Sequence, residues 1–418
     1  MLQRQLAPTF VKTTSLVLPT PTRISLSPEV NLLVVSGVKQ NVCKVELILQ
    51  AGKWIEPKVG VSYFTAQLLE KGTKNKTSSA IAELFDYYGA HLEINAGYDF
   101  ISISLFTLKE HLLKLLPLLQ ELLLSPSFSE TEWKLMKTIF IQNLKVSNEK
   151  TSSIASKNIR RNVFGKNHPY GRSVEEQEVN ALNVTDFKNF YQTSFKIKHV
   201  LVCGELNRQE IDFISTEFSS LFFTGGTIPS AVFQEPAPST QHIEKESVQS
   251  SLRLGKKSIL KTHPDYAGLV LVNHLLGGFF GSRLMKNIRE EKGLTYGIHS
   301  SIYSFQQASM FGIEADVNKS NLSLALKEIK LEIAKLRDEL IADEELILAK
   351  NHFIGGLQTE LANPFSIAEK IKNIELNSLD NDFYSQLIHS IDQITADQLK
   401  LLSQKYFEES SFFEVTVG

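Results

Sequence analysis

The chain has only two cysteines in 418 residues, Cys43 and Cys203, both inside apolar, strand-like runs and far apart. That excludes a disulfide framework, and both thiols read as reduced, buried and inert. Net charge is nearly absent: 44 Lys+Arg against 46 Asp+Glu leave −2, with an isoelectric point of about 6.6. Nothing electrostatic therefore draws the chain to nucleic acid or to an anionic membrane. Long apolar runs are missing too. The leucine-rich stretch 112–124 is interrupted by Lys114, Pro117 and Glu121 and is too short to cross a bilayer, so it reads as a core helix. The amino-terminal segment has no unbroken apolar core of signal-peptide length, so a soluble, cytoplasmic protein is expected. None of the ten histidines has a second at i+4 beside a carboxylate, and His168 and His263, each preceding a proline, read as loop residues.

What is present is a repeated order of elements. The length exceeds one ordinary core and points to two domains. Segments 31–38 and 43–51 are strand-like; 59–70 and 78–88 are helix-like, the second capped at Thr77-Ser78-Ser79; 90–96 and 99–107 alternate as strands. Helices follow near 109–123, 130–147 and 152–163, with Ser129 placed to cap the second. Segment 319–357 echoes 109–144 at an offset of about 210 residues, Tyr266–Gly278 parallels Val61–Thr73, and Tyr303–Ala315 parallels Tyr98–Thr107. The expected fold is α+β: two similar halves, each a mostly antiparallel sheet covered by helices on one face, closing like a clam. The halves are placed at 1–223 and 246–418, joined by a linker, 224–245, rich in Gly, Pro, Ser and Thr.

Within the second half, the stretch 277–297 (GGFFGSRLMKNIREEKGLTYG) reads as a helix over 283–291 capped by Ser282, stopped by Gly293 and followed by a strand from Leu294. Gly277, Gly278 and Gly281 allow close backbone approach where the helix begins. Arg289 and Tyr296, seven positions apart, can aim two hydrogen-bond donors at one point. On this stretch alone the plainer reading is favoured, in which Arg289 complements the helix dipole and Tyr296 packs on a sheet.

Four ordered landmarks, AGKWIEP (51–57), EKGT (70–73), FGKNHPYG (164–171) and SRLMKNIREEKGLTYG (282–297), make the chain resemble the pitrilysin/insulinase-type zinc metallopeptidases, peptidase family M16, over roughly 25–415. This family includes the mitochondrial processing peptidase and the core subunits of respiratory complex III. The resemblance implies an inverted zinc motif, His-x-x-Glu-His, before the KGT landmark and a downstream glutamate as third ligand. The matching positions here are Tyr63, Ala66 and Gln67, with Asn143, or Gln142 one residue earlier, at the third ligand. A phenol, a methyl and a carboxamide cannot hold zinc or deprotonate its water. The resemblance also implies an arginine and a tyrosine that bind substrate and stabilise the tetrahedral intermediate, and Arg289 and Tyr296 match both identity and spacing. This places the functional reading of the pair above the structural one.

The reading that follows is a catalytically incomplete, non-zinc subunit of a heterodimeric metallopeptidase. Arg289 and Tyr296 would act in trans on peptide substrates, and zinc would sit in a homologous partner chain and not in this one. A homodimer of this chain would be silent. The alternative is a non-catalytic structural or peptide-binding scaffold like the complex III core subunits. A neighbouring reading frame of similar size with an intact zinc motif would separate the two. An autonomous hydrolase is remote, because Ser62 and Ser282 have no evident base and no Gly-x-Ser-x-Gly surrounds them.

Overall fold

The computed structural model describes residues 16–36, 40–219, 221 and 233–418. The first fifteen residues, the end of the strand expected at 31–38 and residues 224–232 of the expected linker lie outside the described residues. Six strands form the first sheet: β1 (Thr22–Ser27), β2 (Val30–Val35), β3 (Val42–Leu49), β4 (His91–Ala96), β5 (Ile101–Leu108) and β6 (Ile197–Cys203), in the order β1-β2-β6-β3-β5-β4. Five form the second: β7 (Thr240–Ile243), β8 (Gln249–Ser258), β9 (Thr295–Ser304), β10 (Ser309–Asn318) and β11 (Phe413–Val417), in the order β7-β11-β8-β10-β9. Matching β2 with β7, β3 with β8, β4 with β9, β5 with β10 and β6 with β11 superposes the two orders strand for strand. Even the single parallel pair is repeated, β2 with β6 and β7 with β11, all other pairs being antiparallel. The duplication legible in the sequence is thus a duplication of topology. Strand β7 corrects one boundary: residues 240–243 of the segment read as linker already belong to the second sheet.

Helix starts follow their caps. Thr77 Oγ1 accepts from the backbone N–H of Ala80 at 3.2 Å and opens helix Ser78–Tyr87. Ser129 Oγ accepts from Glu132 N and opens Glu130–Glu149. Pro117 does not break Lys109–Leu124. It lies on the exposed side, where water can take the carbonyl that the proline leaves without a donor.

Each sheet packs one face on helices of its own half, the first around Phe64, Leu116, Trp133 and Phe187, the second around Leu252, Leu276, Ile313 and Ile329. The opposite faces are covered by an exchange. Helix Thr151–Phe164 of the first half lays Ala155, Ile159 and Val163 on Phe413, Val415 and Val417 of β11. Its counterpart, helix Pro364–Asn377, lays Ala368 and Ile371 on Leu33, Val35, Leu201 and Cys203 of β2 and β6. The approach is close: a Cβ on Gly255 of β8 would stand 2.8 Å from Ile159 Cγ1, so glycine is required there. Covered on both faces, β3 and β6 are buried along nearly their whole length, charged residues Lys44 and Glu46 of β3 included. Cys43 and Cys203 face opposite sides of the first sheet, in different core clusters. Both are free and buried, and burial pushes each thiol up to about 11.

Two landmarks prove structural. Trp54 of AGKWIEP packs on Tyr170 of FGKNHPYG at 5.0 Å, and Tyr170 stacks on Phe305 of the second half at 4.4 Å. His168, expected in a loop, is 8% exposed in this cluster. Its Nδ1 accepts from Tyr170 N at 3.0 Å, and burial drives it down to about 4. His263 stays in a turn, its Nδ1 accepting from Asp265 N at 3.0 Å.

Candidate functional site

In the first half the site is built on helix Val61–Leu68. Gly60, at φ 90°, turns the chain into it. The buried Glu56 carboxyl accepts from Gly60 N at 3.0 Å and Ser62 N at 3.3 Å, binding the free donors of the first turn. Burial raises Glu56 to about 7 against the pull of Arg172, whose Nη2 lies 3.1 Å away. One helical turn apart, Tyr63 and Gln67 face the same side and, with Asn143 from helix Glu130–Glu149, line one cavity of about 560 Å³. Three of the four sequence positions therefore converge. Ala66 does not: it is wholly buried in the core of the first half.

The cavity does not suit zinc. Gln67 Nε2 donates to the Ile94 carbonyl of β4 at 2.9 Å, which fixes the amide as a donor. Burial raises the Tyr63 phenol above its ordinary range, keeping it neutral. Tyr63 instead packs on Phe64 at 5.1 Å and Phe140 at 5.5 Å. Among the described residues, no three histidine, cysteine, aspartate or glutamate side chains gather as metal ligands. Sequence reasoning missed the apolar wall: Met136 and Phe140 line the cavity beside Leu135 and Ile139, which are 58% and 49% exposed. Their i, i+4 spacing on a helix with so few buried positions was the available signal.

The second-half site lies where Tyr266–Asn273 continues through two wide, π-helical turns, His274–Gly278 and Met285–Glu291. Gly277 breaks the first at φ −154°, ψ 16°. A Cβ there would stand 2.7 Å from Ser300 N of β9, so this glycine admits the strand. Ser282 is not the cap expected: its carbonyl accepts from Lys286 N, but its buried hydroxyl has no partner. Lys292 N reaches Asn287 O and Leu294 N reaches Ile288 O, closing the second wide turn, with Gly293 at φ 62°. Strand β9 then begins with a bulge: Ile298 pairs with Ala315 but Thr295 with Val317, three steps on one strand against two on the other. Thr295 Oγ1 holds it, donating to the Asp316 carbonyl at 2.7 Å and accepting from Gly297 N. The extra residue turns Tyr296 outward, 90% exposed.

Arg289 lies over the Phe280 ring, its guanidinium carbon 5.0 Å from the ring centre. Tyr296 borders a separate hollow of about 250 Å³ with Arg253, Glu314 and Asp316, whose lining does not include Arg289. The pair thus does not share that hollow within this chain. Among the described residues, neither side chain has a polar partner, so both keep their donors free.

The family model described as insulinase (peptidase family M16) matches residues 33–178, and the model described as peptidase M16 inactive domain matches 181–353. The chain belongs to peptidase family M16. The first model lies within the first half, and the second begins at residue 181, still in the first half, and runs on into the second. A relative named uncharacterized zinc protease YmxG, from Bacillus subtilis, is 24% identical over 84% of this chain and 86% of its own length. A non-peptidase homolog YmxG from Helicobacter pylori is 24% identical over 83% and 80%. Among solved structures, the peptidase M16 inactive domain from Pseudomonas fluorescens matches with a TM-score of 0.88 at 24% identity, over 96% of this chain and 98% of that one. A protease from Helicobacter pylori matches with 0.87 at 20%, over 96% and 100%. These likenesses show the two-half fold.

Proposed function

We propose that this chain is the catalytically incomplete subunit of a heterodimeric M16 metallopeptidase, lending Arg289 and Tyr296 to a zinc-bearing partner chain that cleaves peptides. One observation carries the reading: a guanidinium and a phenol are held at the surface by a bulged strand and a wide helical turn, and neither spends a donor within the chain. Such donors suit the oxygen of a substrate carbonyl, whose charge grows during hydrolysis, and neither needs to change protonation. The partner would supply the metal and the attacking water. In a complex with a zinc-bearing homologue, Arg289→Ala and Tyr296→Phe should each lower peptide kcat/KM by roughly a hundredfold. Unchanged values in both would reject the role.

The cavity beside Tyr63 favours a second reading, a peptide-binding scaffold without catalysis. Its apolar wall of Met136 and Phe140 suits a bulky side chain. In that case the isolated chain binds an unfolded, fluorescent peptide, Phe140→Ala weakens binding, and Arg289→Ala does not change turnover in any complex.

A further inference from the structure

The loop Gly278–Gly281 carries two adjacent phenylalanines with different surroundings. Phe279 lies nearly parallel to the His274 ring at 4.6 Å and packs on His352 at 4.5 Å. The two imidazoles are joined Nε2 to Nδ1 at 3.0 Å, so Phe279 is anchored. Phe280 is 59% exposed and touches the guanidinium of Arg289. The flanking glycines make this possible, since a Cβ on Gly278 would stand 2.9 Å from His274 Nδ1 and one on Gly281 2.8 Å from the Phe279 ring.

A carboxylate would hold Arg289 more firmly than a ring does, but it would occupy the N–H groups that a substrate oxygen needs. An aromatic face attracts the flat cation and leaves its in-plane donors unused. Resting on the role of Arg289 given above, we propose that Phe280 is the positioning residue for Arg289, a platform that fixes the guanidinium without consuming a donor. Phe279 and its two histidines hold the platform in place.

The test is a double-mutant cycle in the complex with the zinc-bearing homologue. Phe280→Leu keeps apolar bulk but removes the π face, and should lower peptide kcat/KM roughly two- to thirtyfold, the range of a cation–π contact, mainly through kcat. Phe280→Trp should restore it. In an Arg289→Ala background, Phe280→Leu should cost nothing further. The isolated Phe280→Leu chain should melt with the wild type, because the ring is exposed. Full activity in Phe280→Leu, or losses that add to those of Arg289→Ala, would overturn the inference while leaving the role of Arg289 intact. A silent Arg289→Ala would remove both.

Discussion

Tyr170 donates its hydroxyl to Asp99 Oδ1 at 2.6 Å, and Gln307 N of the second half donates to that same hydroxyl at 3.1 Å. Gln306 N completes the junction on Asp99 Oδ2 at 3.0 Å. One phenol thus ties a turn of the first sheet to a turn of the second, and burial lifts it far above the ordinary tyrosine range. Tyr170→Phe keeps the stacking and removes the tie. It should destabilise the chain by about 1–3 kcal/mol, read as a lower denaturant midpoint. An unchanged midpoint would show that the contact between halves rests on packing alone.

Lys44 is the more drastic case. It is 4% exposed, with Nζ 2.7 Å from both Glu46 of its own strand and Glu369 of the exchanged helix, while Lys372 closes the square on the same two carboxylates. Lys44→Met removes one cation and leaves Glu46, 1% exposed, with a single partner. A loss of roughly 3–5 kcal/mol is expected in chemical denaturation, because the remaining charge stays buried. A loss below about 1 kcal/mol would mean that water enters this junction.

Tyr63, Gln67 and Asn143 border one cavity, so a ligand set can be written back into it. The triple change Tyr63→His, Gln67→His and Asn143→Glu should purify with one zinc per chain by elemental analysis, whereas the wild type should not. Only sub-stoichiometric zinc in the folded triple variant would show that the three positions, though neighbours, do not converge at bonding distance.

The two halves of the fold were legible because duplication leaves a period, and β3 lies in the run 43–51 that reads as a strand. The exchange of helices was not. Ala155, Ile159 and Val163 give an ordinary amphipathic stripe, and a stripe does not say which sheet it covers. The spacing of Arg289 and Tyr296 was visible. The bulge that turns Tyr296 outward and the wide turn under Arg289 depend on register and on hydrogen bonds five or more residues apart, for which this segment has no residue signature. The cavity wall has a signal in the i, i+4 spacing of Leu135 and Ile139, but that spacing does not say whether another element covers the face, and here both side chains stay exposed.

His168 gives the chain an acid-sensitive point. Its ring must stay neutral for Nδ1 to accept from Tyr170 N, and burial holds it near 4. A folded value below the unfolded one of about 6.5 means stability present above that pH and lost as pH falls toward 4. Glu56 acts in the opposite sense: held at about 7 against an ordinary 4.5, it contributes stability below 4.5 that is lost as pH rises through 7. His168→Asn, which offers an oxygen where Nδ1 stood, should flatten the loss of stability between pH 6.5 and 4. Glu56→Gln should flatten the decline between 4.5 and 7. Denaturant midpoints across pH 4–8 would check both, and parallel curves for wild type and variants would refute them.

Because each half wears a helix donated by the other, neither has a finished surface by itself. Synthesised as separate polypeptides, each would expose the bare back of its own sheet and a greasy helix with nowhere to lie. Only on meeting would the two fragments become soluble, which makes this fold a natural two-piece reporter of proximity.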